Sequence, residues 1–308
     1  MPPAMTATRP DRTILTAPGT IDHHVADLTA TLAADVALST VQKTLGAMGQ
    51  WLPIDGDREM PVGQLIETNS TGPLRLGYGA WRDLLLGAQF NNGRGELITA
   101  GGRTVKNVAG YDLTKFMVGQ RGVFGTLLTL TTRTYKRPAG AVLVVFPPKP
   151  NLIHRLIPSP ARPQWTLLTP DGLLCGYLGD ERALAYYQKS LADWNPVSIE
   201  PRSLEEDVEH RTRLWRGEFR ASVPPARVLD FVNAAKCAPW AADAAFGIVR
   251  GNGKRESLES AAKQLNGTVV FEGGNDWFAP PPGPQRELLV RLKKAFDPDN
   301  RLTPLPFR

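Results

Sequence analysis

The 308-residue sequence predicts an α+β fold in two parts, and three observations carry that prediction. Fourteen of the 29 glycines fall between Gly56 and Gly125, which marks one segment as rich in turns. Eight prolines lie between Pro138 and Pro170, too many for a continuous helix and suited to edge strands and an extended crossing segment. Beyond them, apolar strand-like runs alternate with helical patterns, as in an α+β domain. A chain of this length accommodates about two domains of roughly 100 to 200 residues. The boundaries that follow are 1–20 as a disordered lead, 21–138 as the first domain and 139–308 as the second, with a C-terminal helix.

Taken in order, Asp27 to Ala33 alternates small polar and apolar residues like a strand. The stretch Leu38 to Met48 then carries Val41, Leu45 and Met48 at helical spacing, with Ser39 and Gln42 as a capping-box pair and Gly49 closing the helix. The β-branched run Thr126 to Tyr135 reads as the last strand of the first domain. In the second domain, strands are expected at Leu173 to Leu178, Glu218 to Val223, Phe246 to Arg250 and Thr268 to Glu272. Helices are expected near Glu181 to Trp194, Leu204 to Trp215, Ala226 to Lys236 and Glu256 to Leu265. A last amphipathic helix places Leu288, Leu289, Leu292 and Phe296 on one face and stops at Pro298.

Composition removes several function classes. A net charge of +6 is scattered, without a run of like charges or interleaved aromatics of the kind that binds nucleic acid. No stretch approaches the roughly 18 consecutive apolar residues of a spanning helix, and the amino terminus lacks a signal-peptide core, so a cytoplasmic location is the default expectation. Cys175 and Cys237 lie 62 positions apart, which leaves neither a disulfide framework nor a metal knuckle. His23, His24, His154 and His210 show none of the spacings of a zinc site, so no metal is expected. The run Arg211 to Arg216 reads as a solvated or interface face of a helix, anchored to the core by Trp215.

The most informative run is Gly101 to Pro138. Gly101 and Gly102 allow a turn, Val105 to Val108 an extended piece and Gly110 a second turn. Asp112 then caps a helix with Leu113, Phe116 and Met117 on its apolar face. After Gly119, the turn Gln120 to Gly125 feeds a strand, a layout in which main-chain N–H groups can face a phosphate.

This run resembles the flavin-binding domain of the vanillyl-alcohol oxidase type, most of all that of the FAD-binding subunits of bacterial glycolate oxidases. KNVAGYDL (Lys106 to Leu113) carries the likeness most strongly. WLPID (Trp51 to Asp55), MPVGQLIETNSTGP (Met60 to Pro73) and YGAWRDLLLG (Tyr78 to Gly87) add to it upstream. Ser222 to Val232 and Lys293 to Pro304 extend it downstream. The resemblance implies a partial FAD-binding domain of that type followed by an α+β cap domain. It also implies FAD as cofactor and oxidation of a 2-hydroxy acid by hydride transfer to flavin.

Carried over by position, the resemblance places Pro53 and Asp55 on the loop beside the flavin, and Gly63, Thr68, Ser70 and Gly72 around its ring and pyrophosphate. Tyr78 and Asp83 come behind them. Lys106, Asn107, Gly110, Tyr111 and Asp112 continue that wall, and Gly122, Gly125 and Thr126 present backbone to the nucleotide half.

A full domain of this type begins with a subdomain bearing an Arg-Gly-Gly-Gly-like pyrophosphate loop. Only 26 residues precede the strand placed at Asp27, and no two adjacent glycines occur there, so the resemblance implies a cradle without that half. Gln64 stands where a second glycine is usual, and Arg121 where many relatives carry an acid. The two-histidine motif of the larger catalytic subunit is absent, and no catalytic residue is assigned.

The function implied is that of an accessory subunit. It would work beside a larger FAD-bearing catalytic subunit and an iron–sulfur subunit, on a small 2-hydroxy acid, peripheral to the membrane through its partners. The alternatives are a flavin-free structural subunit of the same complex and a chain whose missing loop is supplied separately.

Overall fold

The computed structural model describes residues 17–102, 112–271 and 283–307. An all-antiparallel five-stranded sheet organises the first part, in the spatial order Ile21–His24, Thr29–Ala33, Thr126–Arg133, Leu85–Asn91, Leu97–Gly101. The strand expected over Asp27 to Ala33 thus begins at Thr29. Asp27 lies in the tight turn that folds Ile21–His24 back onto it, made possible by Leu28 in the left-handed region at φ +52°.

Helices Leu38–Gly46 and Val62–Glu67 cover one face of this sheet, burying Leu38, Val41 and Leu45 and Val62, Leu65 and Ile66 against Leu32, Leu130 and Phe90. The expected Ser39–Gln42 capping box does not form. Ala37 occupies the N-cap, and the Gln42 amide instead bonds both the carbonyl and the N–H of Leu52, which pins the next loop to the helix. Gly63 is where the second helix touches the sheet. An added Cβ would stand 2.8 Å from both the Cβ and the carbonyl oxygen of Ala34.

A second, eight-stranded antiparallel sheet runs in the order Ser198–Arg202, Gly140–Phe146, Gly172–Gly179, Trp165–Thr169, Trp240–Asp243, Ile248–Gly251, Phe219–Ser222, Thr268–Phe271. Gly140–Phe146 lies inside the sheet. The prolines that suggest edge strands sit just outside it, at Pro138 and Pro147, so no ladder donor is lost.

Both faces of this strand are buried, and its alternation separates two cores. Val142, Val144 and Phe146 face the core beneath helices Glu181–Ala192, Val228–Ala235 and Arg255–Gln264. Ala141 and Leu143 face a third cluster that also takes in Trp51 and Leu74 of the first part. The third cluster is the seam between the two parts. Helix Leu204–Leu214 borders it, held at its start by a reciprocal capping box between Ser203 and Glu206.

The last helix, Gly283–Phe296, is expected with the second domain but docks on the first. Phe296 stacks with Phe90 and Phe116, and its carbonyl accepts from the Gly93 N–H. The buried Lys293 ammonium donates to the Val123 and Thr303 carbonyls and to Asp297. These bonds fasten the chain end to the Gln120–Gly125 turn, and they supply a polar reason for the helix position that apolar spacing does not reveal. Of its expected apolar face, Leu288 remains 53% exposed.

Gly176 tests the seam. An added Cβ would lie 1.8 Å from the Trp165 indole nitrogen, so Gly176→Ala is expected to cost about 1–3 kcal/mol by overpacking. Gly46, at the end of its helix with nothing within 4 Å of an added Cβ, is expected to accept alanine with a gain of up to about 1 kcal/mol. Urea unfolding of both variants measures the contrast.

Candidate functional site

The loop Thr68–Arg75, which holds three of the residues assigned to the flavin, is fastened from both parts of the molecule. From the first, Trp81 Nε1 donates to the Ser70 carbonyl at 2.8 Å, and the Leu74 N–H donates to Asp55 Oδ2 at 2.7 Å. From the second, Trp215 Nε1 donates to the Thr71 carbonyl at 3.2 Å, and the Arg162 guanidinium donates at 2.9 Å to the carbonyl of Leu76, the residue just after the loop.

Behind the loop stands Arg211, 1% exposed, donating through Nε to Asp55 at 2.7 Å and through Nη1 to Asp207. Asp207 also accepts from Trp165 Nε1 at 3.0 Å, and Arg211 lies over the Trp165 ring. Burial raises the Asp207 carboxyl above the usual range, with Arg211 opposing. For Arg211 itself, burial pulls the guanidinium down but Asp55 and Asp207 outweigh it and raise it. The run Arg211 to Arg216 is therefore not simply a solvated face: Arg213 and Arg216 are exposed, whereas Arg211 is the buried cation of the seam. Asp207 and Arg211 are one helical turn apart, a spacing that pairs charges on a helix.

A second link crosses nearby. Arg75 lies 3.8 Å over the Phe246 ring, with its Nε 4.0 Å from Asp243, a carboxylate 1% exposed. Burial pushes Asp243 up to about 7. Arg75 and the amides of Ala245 and Phe246 pull the other way, and Asp55 adds to the rise.

These contacts decide what several expected flavin residues do in the fold. Asp55 has one oxygen on Leu74 and the other on Arg211. Gly72 packs on it so closely that a Cβ would meet the Asp55 Cβ at 2.5 Å. Tyr78 makes edge contacts with Trp51 and Tyr135, and burial lifts its phenol to about 12. Pro53 is buried beside them. Asp83 accepts from the Ala80 N–H at the start of a helical turn, and Thr68 returns its hydroxyl to the Gln64 carbonyl. Gln64 itself is exposed.

Four turns gather elsewhere on the first part: Thr68–Gly72, Gly101–Gly102, the start of the helical turn capped by Asp112, and Gly119–Gly125. Asp112 accepts from the Lys115 N–H, as expected of a cap. The Gly119 and Arg121 N–H groups bond the Ile66 and Glu67 carbonyls, which brings the last turn against the first. Gly122 at φ +76° faces Thr303, Gly125 packs on Phe90 and Asn91, and Thr126 is exposed.

Among the described residues, two polar atoms in this group are buried without a partner: Asn69 Oδ1 and Thr114 Oγ1, the latter on a residue 3% exposed. Neither residue is singled out by the sequence reading. The signal for Asn69 is its place in the ThrAsnSerThrGly run, where its φ of +49° favours Asn. Arg121, half-buried, is brought down to about 10 by burial and then by Arg220 of the second part.

Lys106, Asn107, Gly110 and Tyr111 lie outside the described residues. Among the described residues, no cluster of three or more His, Cys, Asp or Glu side chains is placed to hold a metal, and no helix is long and apolar enough to cross a membrane.

Removing the buried cation by Arg211→Met leaves Asp55 and Asp207 uncompensated and is expected to cost about 3–5 kcal/mol in urea unfolding. Asp243 holds its proton to higher pH when folded than when unfolded, since its folded pKa near 7 lies above the reference of about 3.9. Its contribution to stability is thus greatest below about pH 4 and is lost as pH rises through 7. Asp243→Asn is expected to flatten that slope in unfolding measured across the same range.

No protein-family model matches this sequence. It is similar to glycolate oxidase subunit GlcE of Escherichia coli, 32% identical over 127 residues that make up 40% of this chain and 36% of the relative. Glycolate oxidase subunit GlcD of Bacillus subtilis is 32% identical over 114 residues, 36% of this chain and 24% of the relative. The chain therefore spans about a third or less of the length of these curated relatives. Among solved structures, an alkyldihydroxyacetonephosphate synthase superposes with a TM-score of 0.63 at 13% identity, covering 91% of this chain and 64% of that one. The chain is thus similar in sequence to glycolate oxidase subunits and has the vanillyl-alcohol oxidase type FAD-binding fold.

Proposed function

We infer that this chain is an FAD-binding accessory subunit of a glycolate oxidase-like complex that oxidises a small 2-hydroxy acid. The observation that carries the reading is the set of turns converging at Thr68–Gly72, Gly101–Gly102 and Gly119–Gly125, with Asn69 Oδ1 and Thr114 Oγ1 buried and unpartnered beside them. An unsatisfied buried hydroxyl costs about 1–3 kcal/mol, a loss that a hydrogen-bonding ligand removes. An added Cβ on Gly101 would meet the Leu86 carbonyl at 2.2 Å and the Thr114 hydroxyl at 2.7 Å, so glycine, at φ +68°, is what lets the backbone pass this close to Thr114. The likeness to glycolate oxidase subunits and the shared FAD-binding fold support the cofactor.

FAD would supply the hydride acceptor. This chain's own residues would bind and orient it: the Thr68–Gly72 loop and the Gly119–Gly125 turn through backbone, Asn69 and Thr114 through side chains, and Arg121 with Arg220 through positive charge toward a phosphate. Lys106, Asn107, Gly110 and Tyr111 are proposed to continue the same wall.

Proton abstraction from the hydroxy acid is assigned to a larger FAD-bearing partner subunit, with an iron–sulfur subunit passing electrons onward. The histidines here support that division. Burial, and then Arg202 and Arg213, push His210 down to about 4, which makes it a weak base, and His154 is exposed on another helix of the second part.

A second reading, a flavin-free structural subunit of the same complex, is favoured by one observation: Asp55 and Gly72 are already committed to the seam. The visible absorption spectrum of the purified chain with added FAD separates the two. Stoichiometric bound flavin, weakened in Thr114→Val with the fold intact by circular dichroism, is the expected result. Absence of flavin, both alone and after co-expression with the neighbouring subunits, supports the structural subunit instead.

A further inference from the structure

Between helix Leu38–Gly46 and the Trp51–Arg58 loop on one side, and helix Leu204–Leu214 on the other, lies a cleft of about 300 Å³. Its position at a junction of two units is where small-molecule pockets concentrate, and its size is at the lower end of their range. Leu38, Ile54, Leu204 and Val208 give it apolar walls.

The charges around it do not balance. Lys43, Arg58, Arg137 and Arg211 face it against Asp55 and Glu205. Both acids are committed: Asp55 binds Arg211 and the Leu74 N–H, and Glu205 pairs with Arg137. Among the described residues, Lys43 and Arg58 make no ion pair. Trp51 also lines the cleft. It is 5% exposed, and its indole N–H is buried with no acceptor among the described residues, although a buried tryptophan N–H normally finds one. Donors and positive charge are left over, whereas the acidic acceptors are used.

We propose that this cleft is a binding site for a small organic carboxylate with an apolar body, which bridges the two parts of the molecule over the Asp55–Arg211 pair. Lys43 and Arg58 at the rim receive the carboxylate, and the four aliphatic side chains receive the body. The converging glycine turns, Asn69 and Thr114 do not line this cleft, so the site is separate from the proposed flavin cradle and stands or falls without it.

Isothermal titration calorimetry of the whole chain, free of flavin, tests this with benzoate and hexanoate as probes and benzyl alcohol as the uncharged control. The expected result is saturable binding of at least one carboxylate at one site, with a Kd of about 1 mM or tighter. Affinity should fall about tenfold or more in Lys43→Glu/Arg58→Glu, in line with the loss of a charged hydrogen bond. Both positions are exposed, so this variant is expected to fold. Val208→Trp, which fills the cleft, should abolish binding, and Thr114→Val should leave it unchanged. No saturable heat with either carboxylate, equal binding of benzyl alcohol, or full affinity in the charge-reversed variant each overturns the proposal. Because no flavin is present, none of these results bears on the flavin reading.

Discussion

Arg211 carries a full charge at 1% exposure, and the arrangement of the seam follows from satisfying it. A guanidinium so placed needs carboxylates in its plane, and it finds them on two different units: Asp207 one turn earlier on its own helix, and Asp55 on a loop of the first domain. Asp207 in turn takes the Trp165 indole N–H, and Trp165 fits because Gly176 opposite has no side chain. On the other side, Asp55 reaches the Leu74 N–H and is covered by Gly72. From Gly176 to Gly72, a line of six residues passes through one ion cluster, and a change at either end is felt at the charge.

Two carboxylates share one guanidinium in this cluster, and burial is what dominates the titration of its surroundings. Asp207 is raised by burial despite its two donors, and Asp55 contributes to the high pKa of Asp243 across the seam. The same seam clamps the Thr68–Arg75 loop from both domains through Trp81, Trp215 and Arg162. A loop held this way is preorganised, which is what a flat cofactor or a partner surface requires of it.

Much of the architecture was legible because it rests on period and punctuation. The helices at 181–194, 204–215 and 256–265 and the strands at 173–178 and 268–272 emerge within a few residues, since each joins a clear repeat to a cap or a glycine. Gly140–Phe146 was not legible: a strand buried on both faces shows no alternation in composition, and the flanking prolines drew attention to edges. The docking of the last helix on the first part is not legible because its anchor is the buried Lys293 ammonium, which hydrophobic spacing treats as a surface residue. For the site, the motifs mark the loops, whereas the contacts that hold those loops come from the fold. Asp55 and Gly72 serve the seam, whereas the unpartnered atoms belong to Asn69 and Thr114. Buried charge pairing between residues 156 positions apart leaves no trace in a single sequence.

If one ion cluster couples the two parts of the molecule, a double-mutant cycle on Asp55 and Arg211 reads that coupling as an energy. Urea unfolding of Asp55→Asn, Arg211→Met and the double variant gives the interaction energy. The double variant is expected to be more stable than the sum of the two losses implies, by about 0.5–3 kcal/mol, as for groups in one buried network. Losses that simply add would contradict it, and would mean that the Asp55–Arg211 pair does not couple the two parts.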